Sequence, residues 1–247
     1  KKNLQLSNHA SPLAKNMHLS QLNKEEGLSL AMSGYTLGEK TIVKGLSQLL
    51  AGEFFIWNNK NIFTEKYYNY APWNINIEKK YSTYKKELKE LTLDIMSSIL
   101  KNRNGRTIAV PLSGGFDSRL IISALFKLNA KNVICYSYGR KNNFEANIAK
   151  IISKKLNYPW VFIPQNNSTQ RKNFSSSLYT NYVNYADTLS AFPYVQDLFV
   201  VDELLQKDIL QKDSIIINGN SGDFISGAHI PLLPKDSKNN KLDNIVD

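Results

Sequence analysis

The feature that most constrains the fold is a regular alternation of apolar segments between residues 106 and 220. Segments of strand length alternate with longer segments that have helical periodicity. The predicted strands are RTIAVPL, NVICYSYG, PWVFIP and DSIIINGN, and the predicted helices are RLIISALFKL, NFEANIAKIISKKL and most of residues 175–211. Strands that alternate with helices imply right-handed crossovers and a parallel sheet covered on both faces. We therefore predict an α/β fold with a doubly wound parallel sheet.

A further helix is predicted before this alternation, from Glu78 to the Asn104-Gly105 pair. Its apolar residues recur at spacings of three and four: Tyr81, Tyr84, Leu88, Leu91, Ile95 and Ile99. The same spacing in NFEANIAKIISKKL predicts four inward-facing residues: Phe144, Ile148, Ile151 and Leu156.

Residues 1–70 have a different pattern. Gly34, Gly38, Gly45 and Gly52 separate short apolar pieces, which favours turns and short extended segments. We predict a linker or arm over residues 1–70, and the α/β domain over residues 71–247, incomplete at its carboxyl end.

Composition excludes several classes of function. The chain has 247 residues, of which 42% are hydrophobic, and this is enough to bury one core of good size. No segment approaches the roughly 18 apolar residues of a membrane span, and the first residues lack the apolar core of a signal peptide, so a cytoplasmic protein is expected. The single cysteine, Cys135, is interpreted as a buried core thiol. His9, His18 and His229 lack metal-ligand spacing, so a zinc site is not expected.

The net charge favours anionic partners. Lys and Arg outnumber Asp and Glu by 31 to 21, which gives a formal charge of +10. Such a balance suits nucleotides, phosphates or nucleic acid. The lysines are dispersed, however, and no basic block is interleaved with aromatic residues, so a nucleic acid is not the expected partner.

Two polar loops follow the first and last predicted strands. SGGFDS begins at Ser113, and NGNSGDFISG begins at Asn218. Ligands of doubly wound sheets bind beyond the carboxyl ends of the strands, so these loops mark a candidate site.

The first loop has the residue types of an anion site. Gly114 and Gly115 allow consecutive backbone amides to converge, and the helix that starts near Asp117 directs its positive end to the same place. Ser113 and Ser118 add hydroxyl donors. The Asp117 carboxylate would repel an anion in this loop, unless a magnesium ion is bound by both the carboxylate and the phosphates. The alternative is a Gly-Gly turn that only caps a helix.

Known loop motifs of other classes do not fit. The segment lacks the GKS or GKT ending of a Walker loop and the third glycine of a dinucleotide fingerprint. It also lacks the GxSxG pattern of a nucleophile elbow.

Ser-Gly-Gly-x-Asp-Ser after a buried strand resembles the loop of the ATP pyrophosphatases (the PP-loop superfamily), which cleave ATP between the α and β phosphates to adenylate a substrate. Within that superfamily, the chain is most similar to the synthetase domain of the glutamine-dependent asparagine synthetases. Four stretches from about Leu22 to Pro231 carry the resemblance: GYTLGEKTIVKGLSQLLAGEF, LSGGFDSRL, CYSYG with NFEANIAKIISKKL, and NGNSGDFISGAH. They are similar, in order, to the junction of the glutaminase and synthetase halves, the pyrophosphate loop, the elements that flank the adenine, and a second phosphate-side loop.

The resemblance implies an ATP- and Mg²⁺-dependent, AMP-forming ligase that adenylates a small-molecule carboxylate and then forms an amide with ammonia or an amine. The nitrogen source stays open between free ammonia, another amine, and ammonia supplied by a separate glutaminase domain or subunit. Residues 1–70 would be a linker or the tail of such a domain, and a homo-oligomer stays open. Asp117 and Asp223 are implied as catalytic residues and as shared magnesium ligands. The residues implied in nucleotide binding are Leu112, Ser113, Gly114, Gly115, Asp117, Ser118, Tyr138, Gly139, Asn218 and Gly219.

The second loop departs from the family pattern SGEGSDELFGGY. Asn220 stands where the family has a glutamate implied in handling the amine, Ser221-Gly222 inverts the Gly-Ser order, and Phe224 replaces an acid. Two alternatives therefore stay open. One is a tRNA-modifying ATP pyrophosphatase, favoured by the charge of +10. The other is a catalytically inactive nucleotide-binding or scaffold protein.

Overall fold

The structure is a computed structural model that describes residues 4–58, 61–69 and 79–222. The chain forms two compact units. The first unit combines Lys1–Lys80 with Asn166–Val201, and the second combines Tyr81–Gln165 with Asp202–Asp247. The assignment of residues 1–70 to a glutaminase tail and of residues 71–247 to a synthetase domain stays a prediction.

The described helices and strands are, in chain order, α1 (Ala10–Asn16), α2 (Lys24–Ser33), β1 (Glu53–Trp57), β2 (Ile62–Lys66), α3 (Tyr81–Asn102), β3 (Ile108–Pro111), α4 (Phe116–Lys127), β4 (Val133–Gly139), α5 (Phe144–Lys155), β5 (Trp160–Pro164), α6 (Asn167–Phe174), α7 (Ser177–Ala186), α8 (Leu198–Gln206) and β6 (Ile215–Ile216). None of these helices combines the length and apolar character that a transmembrane span requires.

The second unit contains a four-stranded parallel sheet with strand order β5-β4-β3-β6. From β3 the chain proceeds outward to β4 and β5, and it returns to pair β6 on the other side of β3, where Ile108 is opposite Ile215. The predicted α/β fold with a doubly wound parallel sheet is therefore confirmed. The strand order reverses between β3 and β6, and this is the position at which such sheets bind ligands.

Both faces of the sheet are buried. On one face, alternate strand residues pack against residues of α3, α4 and α5, and the cluster includes Ile108, Val110, Val133, Cys135, Met96, Ile122, Leu125 and Ala149. On the other face, Ala109, Tyr136 and Ile163 are fully buried. The prediction of a buried core thiol is confirmed, because Cys135 has no exposed surface and burial raises the pKa of its thiol to about 12.

Two predictions of helix packing were wrong in part, although Leu156 and Ile99 pack against the core as predicted. Phe144 and Ile151 of α5 are 77% and 55% exposed. The buried residues of α5 are the small ones instead, Ala146, Ala149 and Ser153, because a helix that lies close to a sheet accommodates small side chains at the line of contact. In α3 the predicted apolar stripe is also largely exposed, at Tyr81, Tyr84, Leu88, Leu91 and Ile95, and the residue that is buried is Met96.

The first unit contains more secondary structure than the sequence predicted. Its β1–β2 hairpin agrees with the predicted short extended segments, but α1 and α2 were not predicted. Residues 187–197, expected within a mostly helical stretch, lie between α7 and α8. Their backbone carbonyls accept hydrogen bonds from residues near the start of the chain, from Thr36 N to Ser190 O (2.7 Å) and from Ile42 N to Leu189 O (2.8 Å). Carbonyls used in this way are not available for the hydrogen bonds of a helix.

Candidate functional site

The candidate site lies at the carboxyl edge of the sheet in the second unit. The loop of residues 112–115 connects β3 to α4, and residues 217–222 follow β6. Ile217 N donates a 3.0 Å hydrogen bond to Ala109 O, which extends the pairing of β6 with β3 towards this edge. Because β3 and β6 are parallel neighbours, both loops leave the sheet at the same place.

The first loop is held by its own serines. Ser113 N donates to Ser118 Oγ (3.1 Å), and the two hydroxyl oxygens of Ser113 and Ser118 lie 3.2 Å apart. Gly115 N donates to Ser113 Oγ (3.0 Å). These bonds fold the loop back onto the first turn of α4, so the serines predicted to bind a ligand also shape the loop.

The amino end of α4 lacks a side-chain cap. Gly115 is the N-cap residue of α4 and contributes no side chain to cap the first-turn amides. Arg119 donates from Nε to Gly115 O (3.0 Å), and its guanidinium lies 4.4 Å from the ring centre of Phe116. The helix dipole and the Arg119 charge both favour an anion at this end.

The second loop packs tightly on Asp117, a partly buried residue of the first turn of α4. A Cβ atom on Gly219 would lie 2.9 Å from Asp117 Cβ and 3.0 Å from Ser118 N. A Cβ atom on Gly222 would overlap the Asp117 carboxylate. Glycine at both positions therefore lets the second loop approach the first, and Gly222 was not among the predicted site residues.

The second loop is itself a tight turn. Gly222 N donates to Gly219 O (2.9 Å), and Asn220 N donates to Asn218 Oδ1 (3.3 Å). Asn218 and Gly219, both predicted to bind nucleotide, thus lie in a turn against the first loop. Asp223 is outside the described residues, so its predicted pairing with Asp117 on a metal stays a prediction.

Leu112, at the start of the first loop, is held by backbone and side-chain contacts with β4. Leu112 N donates to Tyr136 O (2.8 Å), and Ser137 Oγ donates to Leu112 O (2.6 Å). Ser137 Oγ also accepts from Trp160 Nε1 (3.0 Å). The backbone of Leu112, a residue predicted to bind nucleotide, is therefore tied to β4 and β5.

The end of β4 contributes Tyr138 and Gly139 at the same edge of the sheet. Gly139 has φ +124°, a conformation that disfavours a side chain. Asn143, the N-cap of α5, accepts from Ala146 N (2.8 Å) and donates to Arg140 O (2.8 Å), so one side chain holds both the helix start and the loop after Gly139.

Glu145 is a residue that the sequence analysis missed. A Cβ atom on Gly114 would lie 3.6 Å from Glu145 Cα and 3.7 Å from Glu145 Cγ, so the first loop lies against the first turn of α5. The available signal was an acid two residues after the N-cap of the helix that follows β4. Within the described residues, no three His, Cys, Asp or Glu side chains form a group that could hold a metal.

Comparison with known proteins does not assign the chain to a family. No protein-family profile and no curated protein sequence matches the chain. A solved structure that matches is the NH3-dependent NAD synthetase from Campylobacter jejuni subsp. jejuni NCTC 11168 in complex with the nitrate ion, at 18% identity and a TM-score of 0.37. The match covers 57% of this chain and 59% of that synthetase. The asparagine synthetase resemblance is not confirmed, and this likeness assigns no activity to the chain.

Proposed function

We propose that the chain binds ATP at the carboxyl edge of the second unit's sheet and adenylates a substrate carboxylate, which then forms an amide with ammonia or an amine. The observation that carries the proposal is the meeting of the two loops at the amino end of α4, where Gly219 and Gly222 lie against Asp117. A turn that only capped α4 would not need a second loop so close to the first-turn carboxylate.

In the proposed reaction, a carboxylate oxygen attacks the α-phosphorus of ATP. The bond between the α-phosphorus and the bridging oxygen to the β-phosphate breaks, and pyrophosphate leaves with that electron pair. The nitrogen nucleophile then attacks the acyl carbon, loses a proton, and displaces AMP. Atoms and charge balance without any redox partner.

The first-turn amides of α4 suit the leaving group of this reaction. Pyrophosphate gains negative charge as it leaves, and fixed donors aimed at that charge stabilise the transition state. Arg119 adds a positive charge at the same end of the helix. Most of the rate enhancement would come from positioning and electrostatics.

The residues present fit a magnesium ion bound together with ATP. Asp117 offers a hard oxygen ligand beside the anion site, and magnesium in nucleotide sites is commonly held by one or two carboxylates plus phosphate oxygens and water. Asp223 is the second carboxylate that we propose. When bound, the ion would neutralise phosphate charge.

One observation favours a second candidate function, an inactive nucleotide-binding protein. Asn220 lies in a turn in which its backbone N donates to Asn218, and its amide side chain cannot act as a base for the incoming amine.

The tRNA-modifying alternative is supported by the charge of +10 and would show strongly salt-dependent tRNA binding.

The test is pyrophosphate release from Mg-ATP by the purified chain, alone and with pools of amino acids, other carboxylates and ammonium. Release that depends on a carboxylate supports adenylation and identifies the substrate class. ATP binding without release under every condition supports the inactive alternative and contradicts the proposed reaction.

Two variants test the proposed metal ligands. Asp117→Ala and Asp223→Ala should each lower pyrophosphate release by at least about 100-fold with an unchanged thermal unfolding midpoint. Asp213→Ala, which alters an exposed acid in the turn before β6, is the control and should retain activity. Wild-type activity in either site variant would remove that residue from the proposed metal site.

A further inference from the structure

Gln165 lies at the same edge of the sheet as the candidate site, just after β5. Its backbone N donates a 2.7 Å hydrogen bond to Gly139 O. This bond continues the parallel ladder by one residue beyond the Gly139–Pro164 pair. Gln165 is therefore a direct neighbour of the end of β4, where Tyr138 and Gly139 lie.

The face of the sheet on which Gln165 lies follows from the strand alternation. Ile163 is buried, Pro164 is exposed and Gln165 is only 9% exposed, so Gln165 shares a face with Ile163. Ile163 is opposite Tyr138 in the parallel register. The Gln165 side chain thus lies on the Tyr138 face at the carboxyl edge.

The Gln165 side chain is buried without satisfying its amide. In the part of the chain that the structure describes, Nε2 of Gln165 is buried and has no hydrogen-bond partner. A buried donor without an acceptor destabilises a fold, and an apolar residue of similar size would avoid that penalty. Such groups in folded proteins usually meet water, an ion or a ligand.

We propose that the side-chain carboxamide of Gln165 binds the adenine base of the nucleotide and selects ATP over GTP. This inference rests on the proposed function. A carboxamide carries one donor group and one acceptor, and adenine presents the matching acceptor N7 and amino donor N6 on one edge. Guanine presents two acceptors, N7 and O6, on the same edge, so one of them would face the carboxamide oxygen.

Calorimetric titration of ATP and GTP into wild type, Gln165→Leu and Gln165→Met tests this assignment. Wild type should bind ATP more tightly than GTP. Both variants should weaken ATP binding about tenfold and leave GTP binding within about twofold, because only the adenine contact is lost. Gln170→Leu, in α6, changes an exposed glutamine and should keep the wild-type preference.

Thermal unfolding of the same proteins without nucleotide distinguishes a ligand contact from a structural role. The unfolding midpoint of Gln165→Leu or Gln165→Met should stay level or rise, because a buried donor without an acceptor has been removed. A lower midpoint together with equal losses of ATP and GTP binding would overturn the inference.

The two proposals fail in different ways. If wild type binds ATP and both Gln165 variants keep its preference over GTP, the Gln165 inference is wrong and the proposed function stands. If wild type binds neither nucleotide, the proposed function is wrong, and the Gln165 inference falls with it.

Discussion

The hydroxyl of Ser137 donates a 2.6 Å hydrogen bond to the carbonyl oxygen of Leu112, the residue at which the first loop leaves β3. The hydroxyl oxygen of Ser137 also accepts from Trp160 Nε1 at 3.0 Å, and Ser137 is only 5% exposed. A single buried side chain therefore connects the start of the loop to β4 and to β5.

Ser137→Ala should weaken both the fold and nucleotide binding. The Leu112 carbonyl and the Trp160 indole each lose a partner in a buried site, so we expect a loss of about 1–3 kcal/mol in the free energy of unfolding. We also expect ATP affinity to fall about fivefold or more, because the loop start loses an anchor. Urea unfolding and calorimetric titration measure the two effects.

Ser153→Ala is the matched control for Ser137→Ala. Ser153 is fully buried and donates a 2.6 Å hydrogen bond to Tyr158 O, but Tyr158 precedes β5 at the opposite edge of the sheet. Its loss should lower stability similarly without changing ATP affinity. Equal ATP affinities in the two variants would remove Ser137 from the positioning of the loop.

Gly222→Ala should disable the candidate site. The added methyl group overlaps the Asp117 carboxylate, so either Asp117 or the second loop must move. We expect ATP affinity or pyrophosphate release to fall about tenfold or more. Gly27→Ala is the control, because a Cβ at this α2 position meets nothing within 4 Å and alanine favours a helix. Retained activity in Gly222→Ala would show that close approach of the loops is dispensable.

Asn143→Ala should affect both α5 and the loop after β4. Loss of an N-cap side chain lowers stability by about 1 kcal/mol. Because Asn143 also donates to Arg140 O, the loop next to Gly139 loses support, and we expect weaker ATP binding. Titration and thermal unfolding of the variant check both effects.

The control for Asn143→Ala is Asn166→Ala. Asn166 caps α6 in the first unit by accepting from Thr169 N at 2.8 Å. A similar loss of about 1 kcal/mol with unchanged ATP binding is expected. If both variants bind ATP as wild type does, the Asn143 side chain acts only as a helix cap.

The buried thiol should make stability fall at alkaline pH. Burial raises the pKa of Cys135 from 9.0 to about 12 in the folded chain. Between those values the unfolded chain loses the thiol proton while the folded chain keeps it. The contribution to stability is therefore full below about pH 9 and is lost as pH rises towards about 12, with a slope approaching 1.4 kcal/mol per pH unit.

Urea unfolding at about pH 8 and about pH 10, for wild type and Cys135→Ala, isolates this contribution. The wild type should lose more stability between the two values than the variant does. Identical pH dependence of the two proteins would contradict the assignment. Native wild type should also react with a thiol reagent only as fast as it unfolds, because Cys135 is fully buried.

The order of elements from α3 to β5, and the final strand β6, could be predicted because each one carries its own local pattern. Strand residues such as Ile108 and Val110 form continuous apolar runs, and the α3 residues recur at helical spacing. The meeting of the two polar loops at one edge followed from the parallel topology. Helix α2 was missed because its apolar residues Leu28, Leu30 and Met32 recur at every second position rather than at spacings of three and four.

Other features depend on strand register, which a single sequence does not specify. The Trp160–Ser137 bond requires Cys135 to be opposite Trp160. The burial of Gln165 depends on the alternation along β5 and on the ladder bond to Gly139. Gly222 could not be predicted as a site residue, because the need for glycine there comes from its contact with Asp117, which is distant in sequence.

The pairing of β6 with β3 also has a consequence for protein synthesis. Strands β3, β4 and β5 can pair through short connections. Ile108 can pair with Ile215 only after residues 166–201, which belong to the first unit, have been synthesised. Closing so long a connection is slow compared with local pairing. In a nascent chain, the first loop would therefore form well before the second. Nucleotide binding that needs both loops would become possible only at the last stage of folding.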